Sequence, residues 1–365
     1  NFDNTDLSTK RYSPDWVNGS LSARTTTPGL STSGSFSTLK KQTLVNENTL
    51  SYSTTINQDH DISAVAGYAY NLTKIGTSTM SSNGGYNSST ITSLNAAVSV
   101  TGNTNETQNV LLSYFGRVQY GYKGKYLLSA SVRRDGSSRF GDNNKWGLFP
   151  SASIGWRLSE EDFMKSVSSV SDLKLRASWG KAGNYNIGDY SSISTLGFYN
   201  YDFGGTQAGG QAPNRISNPD LTWEKSQTID VGLDVGFLKN RFTASFDYYT
   251  KRNTDLLLNV PVPQATGFAT SLTNIGEVLN KGWELEVTSR NINNSSFQWT
   301  TSVNLSHNEN QVVHLGQGDA TIYIPSSFDI PHSVLQVGEP MYAYHLVKQM
   351  GILTQADIDS KVALF

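Results

Sequence analysis

The chain has no cysteine in 365 residues, so no disulfide staples it and no thiolate can hold a metal. It has no apolar run of eighteen or so residues, and a membrane-spanning helix needs about twenty, so a transmembrane helix is excluded. Charge is scarce and balanced, with a formal net charge of -2, and nothing steers the chain towards nucleic acid. Hydrophobic residues reach only 37%, which does not suit a compact α/β enzyme, while Gly, Ser, Thr and Asn are abundant. The chain opens at Asn1 without an initiator Met, a basic n-region or an apolar h-region, and it reads as an internal segment of something longer. These absences leave long amphipathic strands joined by polar loops. Such a chain crosses a membrane only as a β-barrel, because lipid offers no partner to unpaired backbone groups.

What is present fits that description. In 226–251, Ile229, Val231, Leu233, Val235 and Phe237 alternate with Thr228, Asp230, Gly232, Asp234 and Gly236. A turn at 238–240 follows, and then Phe242, Ala244, Phe246 and Tyr248 alternate with Thr243, Ser245 and Asp247. A period of two is a strand with one apolar face, so the stretch predicts a hairpin. Each arm runs about ten residues, twice the usual globular strand and enough to cross the hydrocarbon layer when tilted.

The same pattern recurs along the chain. Residues 1–45 read as one long loop, with a possible short strand at 36–39. Hairpins follow at 50–70 and 112–132, separated by a polar, loop-like 73–109. A loop at 135–147 leads to a strand from Leu148 to Leu158, and Ser159 with Asp162 resembles a capping box that opens a short helix. Alternation returns from Leu173 to Trp179, before the longest insertion, 183–225. After the 226–251 hairpin comes a loop to about 280, then strands 283–287 and 297–305, and a weak strand at 341–347. Connections alternate short and long, as in outer-membrane barrels. In the strands as bounded here, the apolar row carries no charge, whereas Arg117, Arg133, Arg157, Lys174, Arg176, Asp230, Asp234, Asp247, Glu284 and Glu286 fall on the other row. A lipid face and a watery lumen sort charge in this way; a soluble β-sandwich also alternates, but with shorter strands and similar loops at both ends.

Several stretches have specific wording: RRDGSSRFG (133–141), GLFPSASIGWRLSEE (147–161), LRASWGKAGN (175–184), NPDLTWEKS (218–226), DLLLNVPVPQATGF (255–268) and GEVLNKGWELEV (276–287). Together they resemble, in family order over most of 46–308, the barrel of SusC-like (SusC/RagA) TonB-dependent transporters of Bacteroidetes. The resemblance implies an all-β fold, a transmembrane antiparallel β-barrel of 22 strands, in the bacterial outer membrane. It further implies an N-terminal plug, a TonB box that engages TonB, and a SusD-like surface lipoprotein that helps capture glycans or peptides. The chain departs from that pattern in extent. About eleven strands can be counted in 1–365, and neither plug, TonB box nor closing C-terminal strand is recognisable.

No catalytic constellation stands out, and no enzyme activity, cofactor or metal site is assigned. The histidines His60, His307, His314, His332 and His345 lack metal-ligand spacing. Glu284 and Glu286 are paired carboxylates on one face, more simply explained by lumenal charge than by acid and base work. The glycine-rich 204–210 lacks the Lys and Ser or Thr of a phosphate loop. Asn218–Glu224 carries an Asn-Pro step that favours a structural turn. Tyr70, Tyr122, Tyr126, Trp156 and Trp179, at strand ends, suit interface girdles. The candidate binding residues are the aromatics of the long insertion, Tyr185, Tyr190, Phe198, Tyr199, Tyr201 and Phe203, which could stack on sugar rings or peptide side chains, or pack on one another as loop anchors. The reading is the wall and loops of an energised nutrient importer, partnered by outer-membrane lipid, TonB and a SusD-like lipoprotein. A passive porin and a secreted carbohydrate-binding β-protein are the alternatives.

Overall fold

A computed structural model describes residues 2–13, 33–86, 93–325 and 331–346. Its strands are β1 (Phe2–Ser13), β2 (Ser33–Ile56), β3 (His60–Tyr86), β4 (Ala97–Tyr122), β5 (Tyr126–Ser137), β6 (Trp146–Arg157), β7 (Val170–Asn184), β8 (Leu196–Phe203), β9 (Thr206–Pro213), β10 (Glu224–Phe237), β11 (Phe242–Pro261), β12 (Thr270–Asn293), β13 (Gln298–His314), β14 (Ile322–Pro325), β15 (Pro331–Leu335) and β16 (Ala343–Tyr344). Eleven of them form one antiparallel sheet in chain order, interrupted only where β7 pairs directly with β10. β8 and β9 make a separate hairpin, and β14–β16 a small three-stranded sheet. No helix among the described residues is long and apolar enough to cross a membrane.

Two-residue alternation decides which face each side chain takes, and register carries the sorting from strand to strand. Leu128 sits opposite Tyr120 and Ile154, and Val231 opposite Ala177 and Tyr248, all on one face. On the other face Ser129 meets Gln119 and Ser153, and Asp230 meets Ser178 and Tyr249. Leu50, Leu128, Ile154 and Val231 are exposed, as outward apolar residues are where lipid rather than protein covers them. Following partners from Tyr126, the first residue of β5, leads through Trp156, Leu175, Leu233, Phe246 and Leu285 to Leu305, well inside β13. That steady climb is the stagger a tilted barrel wall requires. Among the described residues the sheet is open: β1 and β13 have one strand neighbour each, and the other side of β13 is met at Val312 by backbone bonds with Gly338 and Glu339.

The two ends of the wall differ. At one end the strands are joined by tight turns such as 123–125 and 238–240, in which Lys123, Gly124, Leu238, Lys239 and Asn240 all take positive φ. Tyr122, Tyr126 and Trp156 stack there at 6.2 and 6.4 Å, forming part of a girdle. Glu161 fastens it, accepting hydrogen bonds from Tyr126 Oη (2.7 Å) and Trp156 Nε1 (3.0 Å) and pairing with Lys125 at 3.3 Å. These donors, Tyr126 foremost, hold the Glu161 carboxyl below its ordinary range. The opposite end carries the long connections and the β8–β9 hairpin.

Several sequence expectations change. The loop expected over 1–45 holds β1 and the first half of β2, while 14–32 lie outside the described residues. The loop expected over 73–109 is mostly strand, because β3 continues to Tyr86 and β4 starts at Ala97. The loop expected up to 280 contains the end of β11 and the start of β12, joined through a short turn of helix at Gln264–Thr266. The insertion 183–225 contains a hairpin. Ser159 opens no capped helix: its hydroxyl donates to Asp172 at 3.3 Å, and the segment forms two 3₁₀ turns, Leu158–Glu160 and Asp162–Met164. The weak strand expected at 341–347 is the two-residue β16, with Val347 outside the described residues. With the strands this long, the outward row is also not free of charge. Arg134, Lys181, Arg252 and Lys281 fall on it near the long-loop end.

The face assignment is testable by substitution on the two rows. Val231→Arg puts a cation on the outward face near mid-wall and should cost about 2–4 kcal/mol, seen as lower outer-membrane yield and loss of the heat-modifiable band. Ser178→Arg, on the inward row opposite Asp230, should leave both unchanged.

Candidate functional site

The inward face is built around Arg176 of β7. Its Nε and Nη2 donate to Asp234 of β10 at 2.9 and 3.0 Å, and Nη2 also donates to Asp247 of β11 at 3.0 Å. Ser245 completes the network by donating to Asp234 at 2.9 Å. A planar fork shared by two carboxylates ties three strands together across their shared face. Gly232 makes this possible, because a Cβ there would collide with the Asp247 carboxylate and the Arg176 guanidinium. Asp230, Glu284 and Glu286 stand on the same face, and among the described residues none of them takes part in an ion pair. Carboxylates therefore outnumber cations on this part of the wall. Around Arg117 the inward face is lined instead by Ser63, Gln119, Ser129, Ser153 and Ser178. This surface can meet water and polar solutes.

The long-loop end is locked by contacts between segments far apart in sequence. Phe140, Phe149 and Trp223 form a buried cluster, with Trp223 4.8 Å from Phe140 and 5.3 Å from Phe149. The indole N–H of Trp223 donates to the Lys145 carbonyl at 3.1 Å, and Gly141 N–H to the Leu221 carbonyl at 3.0 Å. Gly141 has to be glycine, since a Cβ would run into the Pro219 carbonyl. Asn274 of β12 holds the same segment through Thr222, donating to its carbonyl at 2.7 Å and accepting from its N–H at 2.9 Å. Asn218 donates to the Leu272 carbonyl at 3.0 Å. The Asn218–Glu224 stretch thus serves as the clasp between the 135–147 loop and β12.

The six candidate aromatics separate into anchors and an exposed group. Tyr185 packs against the Phe140–Trp223 cluster, 5.8 Å from Trp223, with the Arg139 guanidinium 5.5 Å from its ring. Tyr190 takes a positive φ of 62° and its hydroxyl accepts from the Gln108 N–H of β4 at 3.2 Å. Between them Arg139 Nε donates to Asp189 at 2.7 Å in a nearly buried ion pair. The other four lie on β8. Tyr199, Tyr201 and Phe203 share one face, and Phe198 takes the opposite one. All four are exposed, Phe198 by 86% and Phe203 by 71%, so these two rings make little contact with the rest of the chain. Sequence reasoning found the aromatics but missed Arg139, Asp189 and Asn274, whose partners lie dozens of residues away. Among the described residues, no group of three or more His, Asp or Glu is placed to hold a metal.

The family described as "TonB dependent receptor-like, beta-barrel" matches residues 1–341. The chain belongs to this family. Its place in it accords with an open wall that is lipid-covered outside and charged inside, and it puts the chain in the outer membrane. TonB-dependent receptor P39 of Formosa agariphila is 39% identical over 311 residues, which is 84% of this chain and 29% of that protein. TonB-dependent receptor SusC of Bacteroides thetaiotaomicron is 41% identical over 229 residues, 61% of this chain and 23% of that one. Among solved structures, the RagAB peptide transporter superposes with a TM-score of 0.78 at 27% identity, over 93% of this chain and 36% of that chain. The chain therefore spans about a third or less of each of these family members.

The Arg139–Asp189 pair gives the family's rim a pH-sensitive fastening in this chain. Burial pushes the Asp189 carboxyl up, but hydrogen bonds from Arg139, Thr107 and Asn109 outweigh it and hold the group below its ordinary range. A folded-state value below the unfolded one means the fastening is complete above the unfolded carboxyl range and is lost as pH falls through the depressed value. Arg139→Ala should weaken loop closure by about 2 kcal/mol, the scale of a hydrogen bond to a charged group. Hydrogen exchange of amides 185–193 should accelerate at neutral pH in the variant, and in the parent only at acid pH, after correction for intrinsic rates.

Proposed function

We propose that this chain supplies part of the wall and the rim of an outer-membrane transporter that imports a glycan or a peptide using TonB-coupled energy. The carrying observation is the polarity of the wall, with tight turns at one end, an ordered aromatic rim at the other, and a hydrophilic inward face between them. The tight-turn end is periplasmic and the rim extracellular. Residues 1–365 belong to the barrel as a whole, and further strands pair with the free sides of β1 and β13. The plug and the TonB box lie elsewhere in the protein, and a SusD-like lipoprotein acts with the rim. Similarity to the TonB-dependent receptor SusC and to the RagAB peptide transporter supports these assignments. No step of this function needs catalysis.

Tyr199, Tyr201 and Phe203 are assigned as the substrate-contacting face, because they are exposed, co-facial and carried on a hairpin of their own in the long connection between β7 and β10. Phe198 lies on the other face, and Tyr185 and Tyr190 act by holding the loop that carries the hairpin.

Uptake of labelled oligosaccharides and peptides by cells with and without the gene tests this function. Uptake should require the gene and stop when a protonophore collapses the proton gradient; gene-dependent uptake that survives the protonophore would favour the passive porin. Replacing Tyr199, Tyr201 and Phe203 together by Ala should weaken capture roughly ten- to hundredfold, the scale of three lost ring contacts, with the heat-modifiable band unchanged.

A further inference from the structure

The outward row is apolar through mid-wall, but near the rim it carries cations that no acid neutralises. Arg134 of β5 lies directly opposite Tyr114 of β4 and Leu148 of β6. Its guanidinium stands 4.7 Å from the Trp146 ring, which stacks on Tyr114 at 6.1 Å, and Tyr114 in turn meets Tyr68 at 5.4 Å. Two strands on, Lys181 of β7 occupies the same row two residues past Trp179, opposite Gln227 of β10. Both cations are exposed, and among the described residues neither takes part in an ion pair. No Asp or Glu falls on the outward row of β5, β6, β7 or β10. Three other outward cations have acids beside them, whereas Lys74 of β3 faces Gln42 and Gln108. Lys225 pairs with Asp255 at 2.9 Å, Arg252 with Glu277 at 2.5 Å, and Lys281 faces Glu309 across the β12–β13 ladder.

Height gives these cations a meaning. From Tyr126, in the girdle at the tight-turn end, to Arg134 the strand climbs eight positions. At about 3.3 Å per residue and a tilt near 40° this is roughly 20 Å, close to the top of an apolar band about 25 Å tall. Arg134 and Lys181 are thus set at the boundary of the outer leaflet, two strand spacings across and two residues along, roughly 12 Å apart, where lipid phosphates lie. A guanidinium presents a fork that matches a phosphate, and an ammonium adds a mobile point charge. Flanking Trp and Tyr rings suit the layer between headgroup and acyl chain.

We propose that Arg134 and Lys181, with Tyr114, Trp146 and Trp179 beside them, bind the phosphorylated headgroup of an outer-leaflet lipid. This rests on the rim being the extracellular end. The bound lipid brackets β5 and β6, whose connecting loop carries Arg139 and Phe140 into the rim clasp, so it steadies the loop that presents the aromatic hairpin.

The test uses the complete transporter, extracted in mild detergent and examined by native mass spectrometry after incubation with lipid A or with dephosphorylated lipid A. Wild-type protein should retain the phosphorylated lipid and release the other. The double variant Arg134→Gln, Lys181→Gln should retain roughly tenfold less, while Lys239→Gln, at the tight-turn end, should behave as wild type. Equal retention of the two lipids by wild type, or of lipid A by wild type and the double variant, would overturn the proposal. If the double variant fails to insert, the wild-type comparison decides, together with Arg134→Lys, which keeps the charge and should retain more than a neutral substitution. Absence of a heat-modifiable wild-type band would instead overturn the outer-membrane reading itself, and this site with it.

Discussion

Backbone hydrogen bonding in a medium without water is the constraint on which the rest of this structure depends. An N–H or C=O left unpaired in hydrocarbon costs several kcal/mol, so each strand inside the membrane must be flanked on both sides. Once the backbone is satisfied by neighbours, the side chains need not build a central core. The described residues have none. Their buried apolar groups gather instead at the rim, around Trp223, and under the small sheet, around Val278, Val312, Leu315 and Leu335. A hydrophobic content of 37% is therefore sufficient, because lipid covers one face of the wall and water the other. The same constraint is why the proposed barrel needs strands beside β1 and β13, which among the described residues have one strand neighbour each.

Legibility in the sequence follows the lipid. Where the outward row must be apolar, as in Ile229–Phe237 or Leu112–Tyr122, the period of two is plain and the hairpins can be read directly. Above the apolar band both faces meet water, and the chemical difference between alternate positions disappears although pairing continues. Thr77 sits opposite Asn105 and Asn83 opposite Ser99, in ladders that look like loop from composition alone. That is why 33–49, 73–86 and 97–109 were hidden, and why Arg134, Lys181, Arg252 and Lys281 enter an outward row that looked uncharged. The box at Ser159 misled for a local reason. Its hydroxyl found Asp172, across the strand-to-strand link, before a backbone N–H.

The candidate site was legible as composition but not as arrangement. Aromatic abundance marked the 183–225 insertion, yet six rings that look alike in a line of sequence are divided by contacts to distant segments. Tyr185 is drawn in by Trp223 and Arg139, and Tyr190 by the backbone of β4, whereas Tyr199, Tyr201 and Phe203 stay exposed on their own hairpin. No local pattern distinguishes these fates, because the deciding partners are supplied by the 135–147 loop, β4 and β12. The wording of RRDGSSRFG and NPDLTWEKS becomes intelligible only when the two stretches are seen clasped, with Gly141 giving way to Pro219 and Phe140 packing on Trp223.

The inward charges carry the argument one step further. Arg176 is shared by Asp234 and Asp247, so that seam across β7, β10 and β11 is tied together yet keeps one negative charge in excess. Asp230, Glu284 and Glu286 stand beside it, and among the described residues none of them takes part in an ion pair. Carboxylates in that situation keep their charge only if water or a basic partner reaches them, since burying an unpaired charge is prohibitive. The inward face must therefore be solvated, or covered by a complementary basic surface, while at the next residue of the same backbone the outward face is immersed in lipid. One strand with two solvents is the physical content of a barrel wall, and the period of two is the means by which a single sequence serves both.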